Sequence, residues 1–292
     1  MSFFSLFPTE AVRRPVASVA SSPPALVFER LSALPKLAEV RQASRLTVRP
    51  EPEMVSSGIR EVDALTGGLP RGCLTEVCGP VSSGRTSLLL AVLAVATQRQ
   101  EACALVDVSD AFDPLSAAMA AVNFERLLWA RCGKGTSRKH RDTETTNQKH
   151  EDFYRRRMET PVEQALRVTD LLLQSGGFGL VIIDLGDVSL KIARRIPLTS
   201  WFRFQRAIEH TSTVLFVITQ APCAQTCAAL LLKVQVKKLS AFSHQPSALK
   251  TPPHAELLDE LRIETEILRS RMPRKPAQSA TAAFVTKSVR AG

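Results

Sequence analysis

Glu76-Val77-Cys78-Gly79-Pro80-Val81-Ser82-Ser83-Gly84-Arg85-Thr86-Ser87 joins a short apolar run, Leu74 to Cys78, to a long helical pattern, Thr86 to Gln98. Its glycines are spaced as in GxxxxGK[ST], with Arg85 at the lysine position. Glycines at these places let the backbone curl until successive N–H groups face a phosphate. The helix N-terminus behind them adds partial positive charge. The expected nucleotide-binding residues are therefore Gly79, Pro80, Val81, Ser82, Ser83, Gly84, Arg85, Thr86 and Ser87, with Thr86 offering its hydroxyl to Mg2+. Arg85 keeps the charge but not the shape. A planar guanidinium cannot simply replace the compact ammonium that threads between β- and γ-phosphates, so binding is expected to survive better than hydrolysis. A strand-turn-helix without a ligand is the alternative reading of the same residues.

Outward from this loop, short β-branched runs alternate with helical patterns, as a parallel sheet with crossover helices requires. Strands are expected at Leu74 to Cys78, Ala102 to Val106, Leu180 to Asp184 and Val214 to Thr219. Helices are expected at Thr86 to Gln98, Pro114 to Val122, Pro161 to Ser175 and Ser200 to His210. The apolar strand Leu180-Val-Ile-Ile-Asp184 ends in a carboxylate placed to support a metal ion beside Thr86. The strand ending at Thr219 is followed by Gln220, a candidate sensor of a γ-phosphate, for which a capping or surface role is the alternative. Lys191, Arg194 and Arg195 follow the Asp184 strand as a basic cluster, for which a solvated face is one reading. Trp201, Phe202 and Phe204 are open to two readings, base stacking or packed core.

The margins differ in composition. Residues 1–50 read as a flexible leader with a short amphipathic helix between Ala25 and Val40, and 51–235 as the nucleotide-binding core. Within that core, 133–157 is rich in charge and poor in aliphatic residues, the composition of a disordered surface insertion. The last part, 236–292, is expected as a partly disordered extension containing an edge strand or short helix at Leu261 to Arg269 and an unstructured tail after Pro273. A net charge of +10 over 292 residues favours polyanionic partners. The six cysteines are dispersed and lack the paired CxxC spacing of tetrahedral zinc, so they read as reduced core thiols of a cytoplasmic protein. No apolar run approaches membrane-spanning length, and no membrane partner is expected.

Three segments in order carry a resemblance. They are Ser56-Ser-Gly58-Ile-Arg-Glu-Val-Asp63-Ala-Leu65, Gly67-Gly-Leu-Pro70-Arg-Gly72, and the Gly79 loop. With Cys103-Ala-Leu-Val-Asp107, the Ala111-Phe-Asp113-Pro114 turn and the Glu163 to Asp184 helix and strand, they resemble the RecA/RadA recombinase core over roughly residues 56 to 222. The resemblance implies an α/β fold: a RecA-like P-loop core with a mostly parallel sheet and flanking helices, and flexible N- and C-terminal extensions. It also implies ATP and Mg2+ as cofactors, single-stranded DNA as partner with Lys191, Arg194 and Arg195 after the Asp184 strand as candidate phosphate contacts, homo-oligomer assembly through the N-terminal segment, and a role in DNA repair. The departures fall on the chemistry. Ser109 stands where the family has its catalytic acid, and a hydroxyl cannot act as that base at neutral pH. Asp110, next to it, would substitute only if the turn were re-aimed. Ser116 stands where the family stacks an aromatic on adenine, and the interval Pro222 to Cys227 leaves little room for the second DNA loop. These departures are similar to those of the ImuA-type RecA-like proteins that accompany translesion polymerases, which implies weak ATPase and repair or translesion polymerase partners as the second reading. A small-molecule P-loop kinase is disfavoured by the segments before the loop.

Overall fold

The computed structural model describes residues 51–132, 160–240, 260–272 and 281–287. The expected leader and helix in 1–50 and the insertion at 133–157 lie outside these residues. Ten strands and six α-helices follow one another in the described chain. Strands β1 (Met54–Val55) and β2 (Leu69–Pro70) form a small ladder around helix α1 (Arg60–Thr66). Then come β3 (Leu74–Cys78), α2 (Arg85–Gln98), β4 (Cys103–Asp107), α3 (Pro114–Met119) and β5 (Leu127–Arg131). After them lie α4 (Pro161–Ser175), β6 (Leu180–Asp184), α5 (Leu190–Ala193), α6 (Leu198–Ile208), β7 (Val214–Thr219), β8 (Ala228–Ser240), β9 (Glu260–Ser270) and β10 (Thr281–Lys287).

The eight strands β3 to β10 form one sheet in the order β10-β9-β8-β3-β7-β6-β4-β5. The six from β8 to β5 in that order run parallel, and β9 and β10 add antiparallel. The central strands are buried and, apart from a few polar residues such as Glu76 in β3, apolar because both faces are covered, as a parallel sheet with crossover helices demands. Val77, Leu105, Ile182 and Phe216 pack on one face with Leu88, Leu89, Val92 and Leu93 of α2. Leu74, Val106, Val181, Ile183 and Val217 pack on the other with Val162 and Ala165 of α4 and Trp201, Phe204 and Ile208 of α6. Sequence signals set the helix starts. Asp113 accepts from Leu115 N and Ser116 N ahead of Pro114, and Thr160 with Glu163 closes a reciprocal cap ahead of Pro161.

The C-terminal part differs from expectation. β8 runs across residue 235, where the core was expected to end, and the sheet continues beyond it. Leu261 to Arg269 is neither helix nor edge: it lies within β9, paired on one side with β8 and on the other with β10. The expected unstructured tail contains β10, whose Phe284 is buried and stands opposite Ile263. Polar positions alternate with apolar ones in β9, so one face of it closes the core while the other meets solvent. Trp201 and Phe204 are fully buried and take no part in base stacking; Phe202 alone of the three is exposed, at 47%. None of the six cysteines is in a disulfide. Among the described residues, no helix is long and apolar enough to cross a membrane.

Candidate functional site

The site lies at the C-terminal ends of the parallel strands, where an open α/β sheet leaves a crevice. The loop from Gly79 to Gly84 leaves β3 and turns into α2. Gly84 occupies the cap position of α2 at φ +93° with no side-chain cap, so the first N–H groups of α2 carry no capping oxygen. A Cβ there would run into the Ile263 side chain of β9, and a Cβ on Gly79 would run into the Val234 carbonyl of β8. Both glycines are therefore demanded by the strands that brace the loop, and Gly84 by its left-handed backbone as well. Ser83 is buried and its Oγ has no hydrogen-bond partner. An orphaned buried hydroxyl beside uncapped N–H groups fits an anion the size of a phosphate. Pro80, Val81, Ser82 and Thr86 are exposed along the loop rim, and Ser87 is half-buried.

Arg85 does not face this rim. Its guanidinium is buried at 7% exposure, and Nη1 donates to Gly186 O at 3.0 Å and to Thr219 O at 2.8 Å. Thr219 O also accepts from Gly79 N at 3.3 Å. One side chain thus ties the start of α2 to the ends of β6 and β7. Burial lowers the Arg85 pKa from its ordinary value, while Asp184 and Asp187 oppose that shift.

Asp184 ends β6, two strands from β3 in the sheet order. That separation is roughly 10 Å by the ordinary strand spacing. Its Oδ1 accepts from Gly186 N at 2.8 Å. Burial, with Asp107 and Asp187 nearby, raises its carboxyl to about 6 against the opposing Gly186 amide and Arg85. Among the described residues no group of three or more His, Cys, Asp or Glu forms a metal cage. Thr86 and Asp184 could supply one hydroxyl and one carboxylate, as sparse a protein donor set as Mg2+ takes when phosphates and waters complete its shell.

The remaining expected residues take diverse positions. Gln220 is half-buried immediately after β7. Lys191, Arg194 and Arg195 are all exposed on and just after α5, and Arg195 lines a cleft of about 450 Å3 between α4 and α6. Ser109 is exposed. Asp110, at φ +57°, is held by Arg131 in a two-pronged pair at 2.6 and 2.5 Å. Ser116 donates to Asp113 Oδ2 at 2.5 Å and so completes the α3 cap. The connection after β7 is short: a single turn of 3-10 helix at Gln225–Cys227 leads straight into β8.

Sequence reading passed over Glu76. It is fully buried in β3, and its carboxylate accepts from Cys223 N at 2.7 Å, Ala224 N at 3.2 Å and Thr219 Oγ1 at 3.2 Å. Burial raises its pKa even though all three donors favour the anion. The available signal was a lone charge inside the apolar run Leu74-Thr-Glu76-Val-Cys78.

Comparison with known proteins gives consistent results. Residues 41–140 match the family model described as the RecA N-terminal domain. Over 184 residues, 58% of this chain, the sequence is 28% identical to Protein RecA of Ectopseudomonas oleovorans, covering 45% of that protein. The same identity and span hold for Protein RecA of Wigglesworthia glossinidia brevipalpis, 47% covered, and of Rickettsia canadensis (strain McKiel), 46% covered. The match thus spans about half the length of these relatives. The RadB recombinase crystal structure superposes on 79% of this chain with a TM-score of 0.50 at 18% identity, a likeness of fold.

Proposed function

We propose, on the premise that this chain belongs to the RecA/RadA-type recombinase superfamily, that it is a DNA repair protein binding ATP and single-stranded DNA with weak turnover. The observation that carries this reading is the phosphate loop itself: a glycine turn opening an uncapped fourteen-residue helix beside the buried, unpartnered Ser83 hydroxyl. In this reading the loop N–H groups hold the phosphates, and Thr86 and Asp184 orient Mg2+, which would neutralise phosphate charge. Gln220 lies at the end of the neighbouring strand β7 as the sensor of the γ-phosphate. Ser109 supplies no base and Asp110 is engaged with Arg131, which is why hydrolysis is slow. Lys191, Arg194 and Arg195 offer exposed charge to a DNA backbone on the connection after β6. Self-association and a cytoplasmic location belong to the same reading.

A second reading, an ImuA-like accessory protein acting through a repair or translesion polymerase, is favoured by one feature. The connection from Gln220 to Cys227 ends in a helical turn and β8, which leaves no long second DNA loop. Fluorescent ATP binding with Mg2+, measured with and without a single-stranded oligonucleotide, separates the two. The first reading expects nucleotide binding and a DNA affinity whose salt slope falls by about two when Lys191, Arg194 and Arg195 are replaced by alanine. DNA binding with an unchanged slope removes those three residues from the interface, and no DNA binding at all leaves the accessory reading. Hydrolysis at recombinase-like rates that Asp184→Ala abolishes would overturn weak turnover.

A further inference from the structure

The contacts that survive at the phosphate loop and those that are missing divide by phosphate. Backbone N–H groups at the start of α2, which cradle the inner phosphates in such loops, are intact and uncapped. The cation that should reach outward between the second and third phosphates is held elsewhere. Arg85 Nη1 bridges Gly186 O and Thr219 O at 3.0 and 2.8 Å, buried at 7% exposure beneath the ends of β6 and β7. Turning it towards a ligand would strip two main-chain carbonyls of this donor and uncouple the two connections it joins.

We infer that Arg85 is an internal tether and not a phosphate ligand, so that the loop takes a nucleoside diphosphate about as well as a triphosphate. This rests on the nucleotide reading above and specifies its ligand class. Arg85 is then the residue that sets phosphate specificity by its absence from the pocket. A lysine ends one bond short of the position from which Nη1 bridges the two carbonyls, and it is free to contact the outer phosphate.

The test is competition of unlabelled ADP and ATP against a fluorescent ADP on the full-length chain with Mg2+, for wild type and Arg85→Lys. Wild type is expected to bind the two within about threefold, and Arg85→Lys to shift the ratio at least about tenfold towards ATP, the worth of one charge-assisted contact. A structural role alone would change the melting temperature and leave this ratio unmoved. Should Arg85→Lys fail to fold, pyrophosphate and tripolyphosphate competing on wild type read the same property, and equal potency is the expected result. ATP preferred by wild type more than about tenfold overturns the inference while leaving nucleotide binding intact. An unmoved ratio in folded Arg85→Lys overturns the claim that Arg85 sets the phosphate specificity. Failure of wild type to bind either nucleotide sinks the nucleotide reading and this inference together.

Discussion

A carboxylate in the middle of an apolar strand needs partners, and Glu76 finds three: the Thr219 hydroxyl at the end of β7 and the Cys223 and Ala224 amides in the turn after it. Arg85 shows the same logic with opposite sign: a buried cation satisfied by carbonyls from two connections. Asp184 is less well compensated, since one amide and a nearby guanidinium do not offset its burial and its acidic neighbours. Its folded pKa of about 6 lies above the ordinary 3.8. The folded state therefore keeps a proton that the unfolded state loses, and this group's stabilisation is full below about pH 4 and lost as pH rises towards 6. Asp184→Asn is expected to flatten that part of the stability profile and, without divalent cations, to melt above wild type at neutral pH. Thermal melts across this range check it, and a substitution that lowers the melting temperature at neutral pH would contradict it.

Among the elements, β9 decides more than its place near the chain's end suggests. Ile263 lies against Gly84, so the strand that closes the core also fixes the pitch of the phosphate loop. Gly84→Ala is expected to destabilise through both the positive φ and the collision with Ile263, and Ile263→Ala alone by about 2 to 5 kcal/mol as a core truncation. Together they should cost less than their sum by roughly 1 kcal/mol or more, because the second change removes half the reason for the first. Urea unfolding of the four species measures this. Additive effects would mean that β9 does not brace the loop. Helix α6 illustrates the converse: its aromatic spacing left stacking and packing open, and burial of Trp201 and Phe204 decides for packing.

Across the whole molecule, six parallel strands end in two antiparallel ones, and both additions contribute side chains to the core. A chain ending at Ser240 would lose Ile263 and Phe284, leave β8 without its outer partner and uncover the side of α1 that meets β10. Such a truncation is expected to abolish cooperative unfolding and to be cleaved rapidly by protease. A truncated chain that melts with the wild-type transition would show that the fold does not need β9 and β10.

The sequence by itself determined the parallel core, the loop between β3 and α2, and the strand ending at Asp184, because each rests on local patterns: apolar runs, glycine spacing and helix caps. It also located the departures at Ser109, Ser116 and Arg85, which are identities at fixed positions. Only the tertiary structure decided where those side chains go. Arg85 turns to Thr219 and Gly186, residues more than a hundred positions away in the chain, and Glu76 reaches a turn equally remote. The strand character of β9 and β10 was likewise undecided locally, since short alternating segments become strands only when a neighbouring edge supplies their hydrogen bonds.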